Sequence, residues 1–427
     1  MTLPATIAGR LRRFVPLVIL LIGLITWADL FIRVIGPALR DQHFASSAYW
    51  VVPRLALEGR SHLLFSQQEF AEAAEAMGTH PDLGLIPNTP ATVLPLLPFG
   101  LLPEAPAYFL WTVLSVACLL AAIALLSVEL RPPMATALVV LAGLPLFHPL
   151  RANIATGQVY AFVLLAVVGA AVLGARRHAG ADKGAGIALG VVAVLKINYG
   201  LLLAVAPFLR RRRRMVAAAG IVFAVAAVLS MFIVDPGLWA EWLTSVVAWR
   251  SRPETTVTAY QTLHSLFGHL LRHEPTWNPS PVLNAPVLAD ALWIAAGATL
   301  GLTSMAAIVR TAGPADSHIR ALLPLAMLVP VAIVVSPIAE DHHYLLTLFP
   351  LLVGGAILAG EIQRRWAPWI AFTAALLLLG PAWPFNRQPV EGWWALLFYP
   401  RVYGALALWV LLLGLIRAGR PGHDRPA

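Results

Sequence analysis

Long apolar runs leave this chain little choice of environment. They fall near 14–34, 105–128, 134–149, 158–175, 215–234, 286–309, 318–335, 342–360, 366–383 and 393–416. A helix of roughly 20 apolar residues crosses a bilayer core, and each run can hold one if tilt and edge residues are allowed. The run at 134–149 is the shortest. Two further segments are apolar but broken. One, 85–102, carries Pro87, Pro90, Pro95, Pro98 and Gly100; the other, 184–209, is interrupted at Lys196, Asn198 and Gly200, with Pro207 near its end. The expected fold class is an all-α polytopic membrane protein with 10 to 12 transmembrane helices in one integral domain over 1–427.

Composition agrees. Hydrophobic residues make up 59% of the chain and charged residues 12%, about half the share in soluble domains. A soluble enzyme, a disordered chain and a disulfide scaffold are excluded on that ground. Cys118 is the single cysteine, so no intrachain disulfide and no thiolate metal cluster can form. Lysine occurs only at Lys183 and Lys196; such arginine-heavy usage points to GC-rich bacterial coding and a bacterial plasma membrane. Arg10, Arg12 and Arg13 precede an apolar run from Phe14 to about Ile32. That run is long for a signal-peptide core and reads as a retained first helix.

The formal charge of +9 reports topology rather than nucleic-acid binding. With the N-terminus in the cytoplasm, 184–209 returning to its starting side and 85–102 not crossing, the inner segments hold 19 basic and 5 acidic residues, a net +14. The remainder holds 11 basic and 16 acidic residues, a net −5. This is the positive-inside bias. It makes the arginines at 210–214 an anchor against anionic lipid and leaves 417–427 as a cytoplasmic tail.

Two large loops then face outward, at about 35–104 and 235–285. In 44–57 apolar residues mix with few charges, as in a helix lying on a membrane surface. Trp239, Trp242, Trp249 and Trp277 of the second loop suit an interfacial belt. Inner loops are short, which places the chemistry outside.

Several polar residues need a reason. Asp41 lies just beyond the first helix, beside Gln42 and His43. A carboxylate there can act as a general base on a sugar hydroxyl, or simply cap a helix. Lys196, in AVLKINYG, interrupts two apolar half-segments. A lysine at membrane depth faces a cavity or a partner and can neutralise a phosphate, unless it snorkels to headgroups. In SPIAEDHHYL (336–345), Glu340, Asp341, His342, His343 and Tyr344 stand at a helix entrance. Adjacent histidines cannot face one point on a helix, so a metal would need further ligands. Contact with an anion or a lipid phosphate fits these residues, and Asp341 near the helix start fits a capping role.

Arg151, in RANIATGQVY (151–160), can hold a phosphate bidentately or anchor the interface; Gln158 follows in the same turn. In the second loop, Arg252, Tyr260 and Gln261 can line a polar substrate cavity. His264, His269 and His273 lie there too, and only the last two share a helical face. Asn88, within IPNTP, marks irregular backbone of the kind that lines a cavity. No GxGxxG, Walker A or GxSxG string occurs, so nothing points to nucleotide hydrolysis.

In the order of these pieces the chain resembles the polyprenol-phosphate-mannose-dependent mannosyltransferases of glycosyltransferase family 87, with a DUF2029-like domain. The pieces are the first helix followed by Asp41, LALEG at 55–59, the proline-rich segment, GQVYAFVLLA at 157–166, the glycine-dotted stretch to Lys196, the basic run after it, and SP…HHY at 336–344. The chain departs from the family in reading DQHF where members have a DF-like pair, and IPNTP in place of an aromatic-proline-proline string.

The resemblance implies a GT-C fold and an inverting transfer of mannose, or another hexose or pentose. It implies a polyprenyl-phosphate-linked donor, an envelope glycan or glycolipid acceptor, membrane lipids around the chain, and no nucleic acid. Under it Asp41 is the base. Lys196, His342 and His343 clamp the donor phosphate, with Arg151 and Arg252 assisting. Gln42, His43, Asn88, Gln158, Tyr260, Gln261 and Tyr344 line the cavity. No cofactor is required, although a divalent cation can assist a phosphate. Two other classes share parts of this pattern: an envelope polysaccharide polymerase or ligase using a lipid pyrophosphate donor, and a lipid or sugar transporter with Lys196 as a coupling charge.

Overall fold

A computed structural model describes residues 5–40, 46–79, 88–176, 178–249, 252–310, 318–361, 366–384 and 390–418. Among the described residues the regular structure is helical, with one isolated bridge between Glu274 and Asn278. Among the described residues six helices are long and apolar enough to cross a membrane, seven if a bent pair counts as one span, against the 10 to 12 expected; other apolar runs form helices of 10 to 17 residues. The all-α polytopic class read from the apolar runs is the class observed.

Helix α1 (Ala5–Leu30) passes through a π turn at Phe31–Ile35 into α2 (Gly36–Arg40). Phe14, Leu24 and Ile25 are 60–69% exposed, an apolar exterior suited to acyl chains and costly in water. Helices α3 (Ser46–Leu57), α4 (Gln67–Ala76) and α5 (Val93–Gly100) follow. Val51, Val52 and Leu55 of α3 are buried, so its apolar side packs on protein. Gly100 is why α5 can lie there: a Cβ at this position would sit 2.8 Å from the Pro53 backbone.

After α6 (Glu104–Leu130), α7 (Met134–Gly143) and α8 (His148–Ala155) form the bent pair, turning by 50°. This is the short run at 134–149, with Pro145 and Pro149 at the break and no continuous hydrogen-bond ladder possible through it. Thr26 Oγ1 donates to Ala142 O at 2.8 Å and Trp27 Nε1 to Leu141 O at 2.9 Å, pinning α1 to α7.

Helices α9 (Tyr160–Ala175), α10 (Ala179–Leu195), α11 (Ile197–Leu209) and α12 (Arg213–Ser230) come next. The broken segment at 184–209 is a hairpin. Lys196 leaves helical geometry (φ −150°, ψ 89°), and a Cβ on Gly200 would lie 2.4 Å from Ala193 Cα. In a straight helix, seven residues would separate the two by about 10 Å. Gly186 and Gly190 let α12 approach equally closely, against Met215 O and Val222, the small-residue packing that membrane helices use where no hydrophobic drive exists between them.

Beyond α13 (Leu238–Trp249) and α14 (Leu263–Leu271), α15 (Pro286–Arg310) leads to α16 (Leu323–Val335). Residues 323–334 of α16 are all buried, as expected of a helix apolar on every face, and it forms the centre of the bundle. A 3₁₀ stretch at Asp341–Thr347 feeds α17 (Leu348–Glu361), and α18 (Trp366–Leu379) and α19 (Pro400–Ala418) close the chain.

The chain reversals fall into two groups. The turn before Tyr160, the break at Lys196 and the 336–343 segment meet at one end. At the other end Arg212 binds Asp182 and donates to Gly174 O at 2.9 Å.

Candidate active site

The α8–α9 turn sets one wall. Gly157 has φ +67°, a left-handed conformation that costs glycine nothing. Its carbonyl accepts from Trp111 Nε1 at 2.7 Å, and Asn153 Oδ1 accepts from the Tyr160 amide at 3.1 Å. Tyr49 of α3 stacks on Trp111 at 4.7 Å between ring centroids and donates its hydroxyl to Gln158 Oε1 at 3.2 Å. The segment that follows α2 is thereby joined, through α3, to the turn that aims Tyr160.

Tyr160 is the hub. Its ring lies 4.4 Å from His343 and 5.4 Å from His342, and the two imidazoles are 4.4 Å apart. Lys196 Nζ sits 5.3 Å from the Tyr160 centroid, within cation–π range. Lys196 has therefore not snorkelled to the basic end; it stands with the two histidines. The Glu340 amide donates to His343 Nδ1 at 3.1 Å. A neutral His343 then carries its proton on Nε2, a donor available to an oxyanion.

The proline-rich segment closes another side. Thr92 Oγ1 donates to Val194 O at 2.8 Å, next to the Lys196 break. Asn88 is buried and its Oδ1 has no hydrogen-bond partner among the described residues. A buried carbonyl oxygen left unpaired is costly unless something else binds it.

Behind the histidines lies a charge network. Arg401, in the first turn of α19, is fully buried. It binds the Asp341 carboxylate and the carbonyl of Leu379, and donates to Pro381 O at 3.1 Å. The other Asp341 oxygen is 3.0 Å from His148 Nε2. The sequence suggested Asp341 as a helix cap; its carboxylate is instead committed to Arg401 and His148, and Glu340 takes the N-cap position. The network fixes the backbone one residue before His342.

Other expected residues have different surroundings. Arg151 is engaged with Asp29 at 2.8 Å, and Asp29 also binds Arg33. Arg252 donates to Gln67 at 2.7 Å. Gln261 is enclosed: its amide donates to Thr258 O and Phe398 O, its Oε1 accepts from the Arg401 amide, and its carbonyl accepts from the Tyr344 hydroxyl. It braces the second loop, with Tyr344 and the buried Tyr260 beside it. His269, between Tyr399 and Val390 O, belongs to the same brace, and burial holds its pKa below the usual value. Asp41, Gln42 and His43 lie outside the described residues. Among the described residues no three His, Cys, Asp or Glu side chains converge as a metal site.

Tyr160, Tyr49, Trp111, His148 and Arg401 carry the geometry without having been singled out. Aromatic residues inside apolar runs read as core, and Arg401 at the head of a run reads as an interface anchor.

The fold and this cluster define a multi-pass membrane protein with a cationic, aromatic-walled site at one end of its bundle. The model of glycosyltransferase family 87 matches residues 87–337, more than half of the chain. The chain belongs to that family. No curated protein and no solved structure matches it. Lys196, Tyr160 and Asn88 fall within the matched span; His342, His343 and Arg401 lie beyond it.

Proposed function

We propose that this glycosyltransferase moves a sugar, mannose or another hexose or pentose, from a polyprenyl-phosphate donor to an envelope glycan or glycolipid acceptor. The reaction takes place at the extracytoplasmic face of a bacterial plasma membrane, with both termini inside. The observation that carries this reading is Lys196, held over Tyr160 beside His342 and His343. A cation and two imidazoles gathered at the end of a helix bundle suit a lipid-borne phosphate, whose charge rises as it departs. Asn88 adds a buried polar group at the neighbouring wall. Arg151 and Arg252, engaged elsewhere, are left out of the clamp.

The chemistry balances without a second nucleophile. The Asp41 carboxylate takes the proton of the acceptor hydroxyl. The acceptor oxygen forms a bond to the anomeric carbon from the face opposite the phosphate. The bond from that carbon to the phosphate oxygen breaks, and polyprenyl phosphate leaves with the electron pair. Lys196, His342 and His343 stabilise that departing oxyanion. The product has inverted anomeric configuration.

Undecaprenyl phosphate binding tests the clamp. Lys196→Gln in nanodiscs is expected to weaken it by roughly 10- to 100-fold, the loss that follows when one charged hydrogen bond is removed. Equal affinity in the wild type and the variant would remove the phosphate from this site.

A further inference from the structure

At the end of the bundle away from the proposed donor site, α15 and α19 part company. Trp409 Nε1 donates to Ser304 Oγ at 2.9 Å and fixes their crossing. Beyond it, towards both helix C-termini, a cleft of about 310 Å³ opens between Leu302, Thr303, Ala306, Ala307, Arg310 and Arg417. Arg310 and Arg417 each occupy the last turn of a helix and are exposed. Neither guanidinium has a partner among the described residues. The third arginine at this place, Arg320, is committed to Leu415 O at 3.0 Å.

Three properties of the cleft specify an occupant. Two guanidinium forks at its mouth suit one phosphodiester, because arginine grips phosphate oxygens in pairs. Its volume is at the low edge for a ligand pocket, enough for a glycerol-phosphate headgroup. Its other lining residues are small or apolar, Leu302, Thr303, Ala306 and Ala307, and they adjoin the exposed apolar side of α15, where Leu302 and Val309 are at least half exposed. A headgroup seated between the arginines would therefore lay its acyl chains along a surface already fit for lipid. Basic pockets between membrane helices hold anionic headgroups on this principle. An arginine at a helix C-terminus also favours the helix dipole, but that role needs neither a cleft nor a second arginine across it.

We infer that this cleft is a binding site for one anionic glycerophospholipid of the surrounding membrane, bound through its phosphate by Arg310 and Arg417. The inference is independent of the proposed donor site, and its failure would leave the transfer reading untouched.

Lipid retention measured by native mass spectrometry tests it, using dioleoylphosphatidylglycerol and dioleoylphosphatidylcholine as probes. The wild type is expected to retain one phosphatidylglycerol, in preference to phosphatidylcholine by roughly tenfold or more. Arg310→Gln with Arg417→Gln should abolish that preference. Arg213→Gln with Arg214→Gln removes the same charge from exposed positions at the same end and should preserve it. Ala306→Leu, which fills the cleft at an exposed position and keeps both charges, should also lose the lipid. Equal retention of the two lipids, equal loss in both arginine pairs, or full retention in Ala306→Leu would each overturn the inference.

Discussion

Arg401→Ala is expected to destabilise the protein by about 3–5 kcal/mol, the cost of stranding one partner of a buried ion pair. The side chain is fully buried and ties two elements to α19 through three acceptors. It meets Asp341 at the entrance to α17, the carbonyl of Leu379 at the end of α18 and that of Pro381 just beyond it. Truncation leaves the Asp341 carboxylate with His148 alone and two carbonyls without donors. Arg401→Lys keeps the charge, but a single ammonium cannot reproduce a planar fork that reaches three acceptors. It should fall between wild type and Arg401→Ala. Unfolding of nanodisc-embedded protein, followed by tryptophan fluorescence, ranks the three. An Arg401→Ala midpoint equal to that of the wild type would mean that the network contributes nothing.

For Asp41→Asn the expected loss is in turnover, by about 100- to 10,000-fold, the usual worth of a general base. The amide keeps the size of the carboxylate but cannot take the acceptor proton. Donor affinity should be nearly unchanged, because the phosphate is assigned to Lys196, His342 and His343. Asp41 directly follows α2 in the chain, and α2 is held to α6 by Thr112 Oγ1 donating to Ala38 O at 3.0 Å. The neighbouring Trp111 supports the Gly157 turn that aims Tyr160. Measured together, Lys196→Gln and Asp41→Asn should separate into a binding defect and a turnover defect. Transfer by Asp41→Asn within about threefold of the wild type would assign the base elsewhere.

The polytopic membrane class was legible because its signal is additive over some twenty residues; the span count was less so, since several of the apolar runs fold as helices shorter than a full span. The break at Lys196 was legible for the opposite reason: one charge inside an apolar run is so costly that it demands a cause. His342 and His343 stood out as polar residues at a helix entrance. What joins these residues was not legible. Tyr160 looks like one more apolar residue in YAFVLLA, and only the fold puts its ring between Lys196 and the imidazoles. Gln261 illustrates the converse. A polar residue in a loop reads as substrate-facing, yet its side-chain amide is spent on its own loop at Thr258 O and on the junction with α19 at Phe398 O and the Arg401 amide. Asp341 and Arg401 lie 60 residues apart, and no local periodicity links them. Pairings of that kind are set by which helices meet, and the order of apolar runs leaves that open.

The most direct test of the proposed reaction is transfer by the wild-type protein in nanodiscs. It would be given a panel of radiolabelled polyprenyl-phosphate sugars, with membrane lipid extracts as acceptor. The expected result is label passing from one donor into an extract product with inverted anomeric configuration, as polyprenyl phosphate is released. Transfer from a lipid pyrophosphate-linked oligosaccharide, with none from any monophosphate donor, would contradict it.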